Sequence, residues 1–355
     1  DMLAPGNALP SAIGDSAPYT NAGQLRTRGW EITLSWRKQL NKDLGLYANF
    51  NIGDSKTIVT KWNNSSKLIG HTQSRSYAYE GETWGDIWGF ETDRYFTVND
   101  FNGQNADGSW KYKDGVADQT GIQTNNFIYG PGDIKFKDLN NDGKIDGGKG
   151  TVDDHGDLKV IGNTMPRYEY SFHLGGTYKD FDLDVFFQGV GKRDMWTLSS
   201  FVFPEMRIGD LAIYSNQTKY NVYDPEDGIV NISENNDFPC LVAGNEGAGN
   251  VTALASYGGC HNYYPQSKYL VNMAYLRLKN VTLGYTMPEY ISKKFYVQKL
   301  RVYFSGSNLL LLYKGSGDLP VDPEVNTGEG GLGNATWGRT YPITRTWSFG
   351  IQITL

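Results

Sequence analysis

No stretch of this chain approaches the roughly 18 uncharged apolar residues of a membrane-spanning helix, so a helical membrane protein is excluded. Helical periodicity is scarce as well, and no such pattern competes with the alternation described below. Basic residues are outnumbered, 33 Lys and Arg against 39 Asp and Glu, and they form no basic run. That removes the electrostatic footprint of nucleic-acid binding. His71, His155, His173 and His261 are scattered, with no H-x-x-x-H or H-E-x-x-H spacing, and G-x-S-x-G is missing. Cys240 and Cys260 are the only cysteines, in a polar, Gly-rich stretch without a nucleophile's surroundings. They fit a loop disulfide worth about 3 kcal/mol in an oxidising compartment, or two free thiols. Carboxylate pairs such as Asp153-Asp154 suit a glycosidase, but any acidic loop supplies such pairs. The run Gly328 to Gly333 follows no strand–helix pattern and is no phosphate loop. No enzyme is expected. Nothing resembles a signal peptide, and Asp1-Met2-Leu3-Ala4-Pro5-Gly6 reads as mid-protein or processed material.

What the chain does hold is aromatic bulk and alternation. Aromatics make up 14% of its 355 residues, among 43 glycines and a mean hydropathy of −0.50. From Ile343 to Leu355 the apolar side chains (Ile343, Trp347, Phe349, Ile351, Ile353, Leu355) share one face, and Thr344, Thr346, Ser348, Gly350, Gln352 and Thr354 take the other. A strand has a side-chain period of two, so this is a strand greasy on one side and small and polar on the other. Lipid requires the first face and a barrel lumen tolerates the second. The period recurs at Trp30–Trp36, Leu44–Ile52, Tyr168–Tyr178, Phe181–Phe187, Leu276–Tyr285 and Leu300–Leu312. A switch of face near Asn280 predicts a bulge.

Connections alternate in length. The turns at 38–43, 179–180 and 288–297 are short; the gaps at 98–166, 197–268 and 313–342 are long and rich in Gly, Asn, Asp and aromatics. Short turns on one side and long loops on the other are the habit of outer-membrane barrels, whose long loops are extracellular. Parity then asks for a downward strand within 62–82 and an upward one at about 86–98. The count is nine strands, or seven if that pair belongs to a loop. Bacterial single-chain barrels have even counts, so an odd count that begins and ends downward indicates a piece of a larger barrel. Residues 1–28 read as a connecting loop and 29–355 as barrel.

Several segments also look familiar. YLRLKNVTLGYTMP at 275–288, LRVYFSGSNLLLLYKG at 300–315, VDPE at 321–324 and GWEITLSWR at 29–37 resemble the C-terminal region of the SusC/RagA family. So does GDIKFKDLNNDGKID at 132–146, running on to VIGNTMPRYEYSF at 160–172. These are TonB-dependent outer-membrane transporters of Bacteroidetes. The resemblance covers most of the chain, with its motifs in the family's order. It implies a plugged barrel of about 22 strands, capped by a SusD-like surface lipoprotein, that imports oligosaccharides or, in the RagA branch, peptides with energy from TonB. The family's N-terminal plug and TonB-contacting segment have no counterpart here, and the chain ends in Leu355 where outer-membrane barrels commonly end in Phe. The alternative is a self-contained small barrel acting as an adhesin or structural surface protein.

The sharpest chemical motif is Asp138-Leu139-Asn140-Asn141-Asp142-Gly143-Lys144-Ile145-Asp146. Oxygen ligands at positions 1, 3 and 5, a Gly at 6, a carbonyl at Lys144 and Asp146 at position 9 fit a calcium loop. Position 12 is Lys149, so an EF-hand proper is excluded. The closing carboxylate has to come from Asp153, Asp154 or Asp157, and the family's Asp shortly before VIG favours Asp157. The expected role for Ca2+ is structural, against the plainer reading of an Asn/Asp/Gly turn cluster. Trp84, Trp88, Trp110, Trp196 and Trp337 are candidate ligand contacts, since aromatic faces stack on sugar rings. A place in the headgroup girdle competes for Trp196 and Trp88, which leaves Trp84, Trp110 and Trp337. The architecture expected is an incomplete antiparallel wall whose first strand, Trp30–Lys38, and last strand both need partners from another polypeptide segment. Open edges do not survive in hydrocarbon.

Overall fold

In the computed structural model, residues 2–5, 19–64, 66–69, 78–123, 127–197, 199, 202–204, 214–241, 261–324, 341 and 343–355 are described. An eight-stranded antiparallel sheet runs through the chain in sequence order. Its strands are β1 (Met2–Pro5), β2 (Tyr19–Gln39), β3 (Leu44–Lys61), β4 (Arg167–Tyr178), β5 (Phe181–Lys192), β6 (Tyr275–Thr286), β7 (Lys299–Lys314) and β8 (Thr346–Thr354). No helix among the described residues is long and apolar enough to cross a membrane.

Register turns the alternation of single strands into two faces. Leu34 lies opposite Phe50, which meets Phe172, which meets Phe187, which meets Leu278. The adjacent row is Thr33, Asn51, Ser171, Gln188 and Arg277. A slip of one residue would exchange the faces, and these two rows keep theirs from β2 to β6. The apolar face is bare: Leu34 is 61% exposed, Trp347 59%, Phe349 69% and Ile351 58%. A continuous apolar sheet face of this extent would aggregate in water, and it is what a lipid-facing barrel wall requires. The polar face satisfies itself with acid–base pairs. Arg301 donates to Asp182 at 2.9 and 2.5 Å, and both the Tyr47 hydroxyl and His173 Nε2 (2.6 Å) meet Asp184. Glycines make room there. Tyr47 lies directly across from Gly175 and Tyr303 from Gly350, each ring covering ground a Cβ would occupy. The bulge near Asn280 is present: Lys279 is skipped where β6 meets both β5 and β7.

The wall stays open. β1 pairs only with Tyr19–Gly23, so β2 from Gln24 to Gln39 has no partner on that side among the described residues. β8 likewise pairs with β7 alone, and β2 and β8 do not meet. A self-sealed small barrel is therefore not what forms. Three expectations need correction. Residues 1–28 are not simply a connecting loop, because they include β1 and the first turns of the pleat of β2. The last strand is Thr346–Thr354, not the whole of Ile343–Leu355. Among the described residues the wall gains no strand pair from 62–98, so the alternative that this pair belongs to a loop holds: Asp86–Phe90 pairs instead with Leu158–Asn163, away from the wall. The reason is burial. Ile87 and Phe90 are 4% and 2% exposed, whereas a wall strand shows one face to lipid.

The connections 62–166, 193–274 and 315–345 all leave one end of the wall, and the turns 40–43, 179–180 and 287–298 lie at the other. The first two long connections are packed. One core gathers Phe90, Tyr95, Phe96, Phe101, Tyr129, Ile134 and Phe136; the other gathers Trp196, Phe203, Phe238, Tyr263 and Met273. Burial of this kind stabilises by about 1.5–3 kcal/mol per large side chain, enough to make the loops a structured layer.

Candidate functional site

The loop layer carries the chemistry, and its first and second connections interlock through buried polar groups. Asn262, from the second, donates to Asp133 Oδ1 at 2.7 Å and accepts the Ile134 N–H at 2.7 Å. Asn221 donates to the Gly132 carbonyl (2.9 Å), and Thr92 shares a hydrogen bond with Gln266 (2.9 Å). Asp133 is 5% exposed, and burial pushes its carboxyl up to about 7, while the donors Asn262 and Gly130 pull against that rise. A group raised on folding lends stability that is full below its unfolded pKa, near 4, and lost as pH climbs through the folded value. The protection factors of the Gly130 and Ile134 amides, which are corrected for the intrinsic pH dependence of exchange, should therefore fall between about pH 5 and pH 7.5. The slope is at most about 1.4 kcal/mol per pH unit, and Asp133→Asn should remove it. An unchanged slope in that variant would place the titration elsewhere.

The predicted calcium loop is a tight turn assembly. Asp138 accepts the Asn141 and Gly143 N–H groups (2.6 and 2.8 Å), Asn140 accepts that of Asp142 (3.0 Å), and Asp142 that of Lys144 (2.9 Å). Asp146 instead turns to the Gly148 N–H at 2.7 Å. Asp157 joins the motif, its two oxygens accepting the Leu139 and Asp146 N–H groups at 2.7 and 3.0 Å. Among the described residues no three His, Cys, Asp or Glu side chains converge as a metal cluster. One observation does suit a cation. Asp157 is fully buried, and burial, with the Asp138 charge adding to it, raises its carboxyl. A divalent ion between them would relieve that repulsion.

The tryptophans separate. Trp84 is half-buried against Trp62, 5.9 Å between ring centres, in a small cluster with Val59 and Ala78. Trp110 packs tilted against Phe101 and edge-on to Tyr223, and lines an open groove of about 920 Å³ with Lys111, Lys113, Lys135 and Asp138. Trp337 lies outside the described residues. Trp196, which the girdle reading would put at the headgroups, is 2% exposed in the core of the loop layer. Trp88 is half-buried against the other core, beside Phe90 and Phe136, its indole N–H donating to Tyr79 Oη at 3.3 Å. Cys240 is half-buried beneath Gly132, and Cys260 lies outside the described residues.

One constellation escaped the sequence. Arg277, its side chain 5% exposed, meets Asp322 at 2.6 Å and Glu324 at 2.9 Å, and Lys279 on the bulge meets Glu324 at 2.5 Å. Lys279, two residues on, shares the side of Arg277, and the third connection is clasped to the wall there. Both motifs were visible, but nothing in the sequence said that one holds the other.

No family model matches the chain. Three TonB-dependent receptors of Formosa agariphila are similar: P3 is 27% identical over 99% of the chain, P26 24% over 98% and P39 22% over 92%. The chain spans about a third of their length, 31% for P3. Among solved structures, the RagAB peptide importer in its "open-open" state aligns with 100% of this chain and 31% of its own, at TM-score 0.59 and 17% identity. The RagAB peptide transporter aligns with 99% of this chain and 31% of its own, at 0.58 and 19%. At such identity the structural likeness speaks to fold, and the sequence relatives point the same way. The chain is thus similar over nearly its whole length to about a third of several TonB-dependent receptors, and it shares the barrel-wall fold of the RagAB structures.

Proposed function

We propose that the receptor containing this chain sits in the bacterial outer membrane and imports oligosaccharide or peptide cargo with energy delivered by TonB. The observation that carries this is the open wall itself, apolar outside and paired-polar inside, roofed by a packed loop layer. Such a wall needs further strands to close and a plug to gate it, and the relatives are long enough to hold both. In this reading the loop layer receives a SusD-like surface lipoprotein, as the two-component naming of the RagAB peptide importer suggests. Trp110 is the tryptophan best placed to touch cargo, on the groove's wall, whereas Trp84 is held by packing. The reading predicts a plug domain encoded in frame upstream of Asp1; a complete signal peptide directly before Asp1 would overturn it. Cells expressing the full receptor should accumulate labelled oligosaccharide or labelled peptide, one and not the other, and lose that uptake when TonB is deleted. TonB-independent accumulation of both would contradict import.

We further propose that Ca2+, held by Asp138, Asn140, Asp142, the Lys144 carbonyl and Asp157, orders the loop structurally. The folding of Asp157 onto the motif, where it accepts the Leu139 and Asp146 N–H groups, supports this, and oxygen-to-metal distances of about 2.3–2.6 Å are required. At free calcium about 100-fold above Kd, amide protection through 138–146 should rise about a hundredfold, some 2.7 kcal/mol. Asp142→Ala should abolish the gain. Equal protection in calcium and in chelator would refute the site.

A further inference from the structure

The short-turn end of the wall has a chemistry unlike the rest of the molecule. Residues 38–43, 179–180 and 287–299 carry six lysines, Lys38, Lys42, Lys179, Lys293, Lys294 and Lys299, against the three acids Asp43, Asp180 and Glu289. This rim is basic on a chain whose net charge is −6. Among the described residues Lys293 is the one rim lysine in an ion pair, with Glu289 at 2.8 Å. Aromatic rings stand beside the lysines. Tyr290 is 71% exposed, Phe295 68% and Tyr296 93%, in the turn between β6 and β7. Lys179 Nζ lies 5.5 Å from the centre of the Tyr178 ring.

The turns form one band. The Lys179 N–H donates to the Asp43 carbonyl (2.7 Å), that of Thr286 to Asp180 (2.8 Å) and that of Gln298 to Thr354 (2.9 Å). The turn of Tyr296 is itself fixed, with Tyr296 at φ 59° and the Val297 N–H bound to the Ser292 carbonyl. An aromatic held in the left-handed region is kept there by its surroundings rather than by its own preference. The band also begins where the apolar face ends: the last full row is Phe181, Tyr285, Val302 and Ile351.

We propose that this rim binds anionic phospholipid headgroups, with Lys42, Lys179 and Lys294 meeting the phosphates and the exposed rings lying at headgroup depth. The proposal rests on the membrane placement proposed above. Continuity with the apolar face fixes the depth, since tyrosines favour the headgroup layer, and the charge contrast fixes the sign, since each lysine near an anionic surface gives about a fivefold preference.

The test uses the full receptor, reconstituted in equal phosphatidylglycerol and phosphatidylcholine and extracted into mild detergent, with retained lipid counted by native mass spectrometry. Phosphatidylglycerol should be enriched. The variant Lys42→Gln/Lys179→Gln/Lys294→Gln should lose about fivefold of that enrichment at each of the three lysine sites, and the matching Arg variant should keep it. Lys67→Gln/Lys149→Gln/Lys219→Gln, at the loop end, should leave it unchanged. Retention at the bulk ratio, or equal loss in the rim and loop-end variants, would overturn the proposal. So would a rim variant that retains its lipid but loses a soluble periplasmic protein instead. A receptor that fails to enter membranes at all would count against the membrane placement rather than against the rim.

Discussion

Phe172→Arg will cost the barrel about 2–4 kcal/mol of stability in lipid, whereas Gln188→Lys, one row away, will cost less than about 1 kcal/mol. Phe172 lies midway along β4 on the bare apolar face, between Phe50 and Phe187. An arginine there would put a guanidinium in hydrocarbon. Gln188 faces the other way, among Ser171 and Arg277, where a lysine finds polar groups and the water of a lumen. Urea midpoints of the receptor in phospholipid vesicles check this directly, and equal losses in the two variants would mean that the faces are assigned wrongly.

The second large effect is expected at the clasp. Arg277→Met should destabilise the receptor by about 3–5 kcal/mol, because it strands Asp322 and Glu324 beside a packed wall with only Lys279 to answer them. The triple change Arg277→Met/Asp322→Asn/Glu324→Gln should recover much of the loss, since the cost lies in unpaired charge rather than in missing contact. Arg277→Lys should recover little, because an ammonium cannot span both carboxylates as the guanidinium fork does. Thermal unfolding gives the energies, and limited proteolysis after Glu324 shows whether the third connection has come free. If the single and triple variants fall together, the clasp is not what holds the loop.

Much of the wall was legible because lipid and lumen impose opposite demands on alternate residues. Seven segments with a period of two became the seven long strands, and the bulge at Lys279 showed as a change of face. The strand expected at about 86–98 misled because Ile87 and Phe90 are both buried in the loop layer, where no alternation is required. Trp196 misled for the same reason, a large aromatic at a strand's end serving a core instead of a headgroup. β1 was missed because four residues give too little pattern to count. The Asp138 motif was readable because turn chemistry is local. The joining of Asp133 to Asn262, or of Arg277 to Asp322, depends on contacts across more than forty residues that single-sequence periodicity does not encode.

The account turns on the two edges of the wall. An electron cryomicroscopy structure of the whole receptor in lipid nanodiscs tests it most directly. It should show Thr346–Thr354 and the free side of Gln24–Gln39 each hydrogen-bonded to strands outside residues 1–355, within one larger barrel. Pairing of Thr346–Thr354 with Tyr19–Gln39 themselves, sealing a small barrel, would contradict the account.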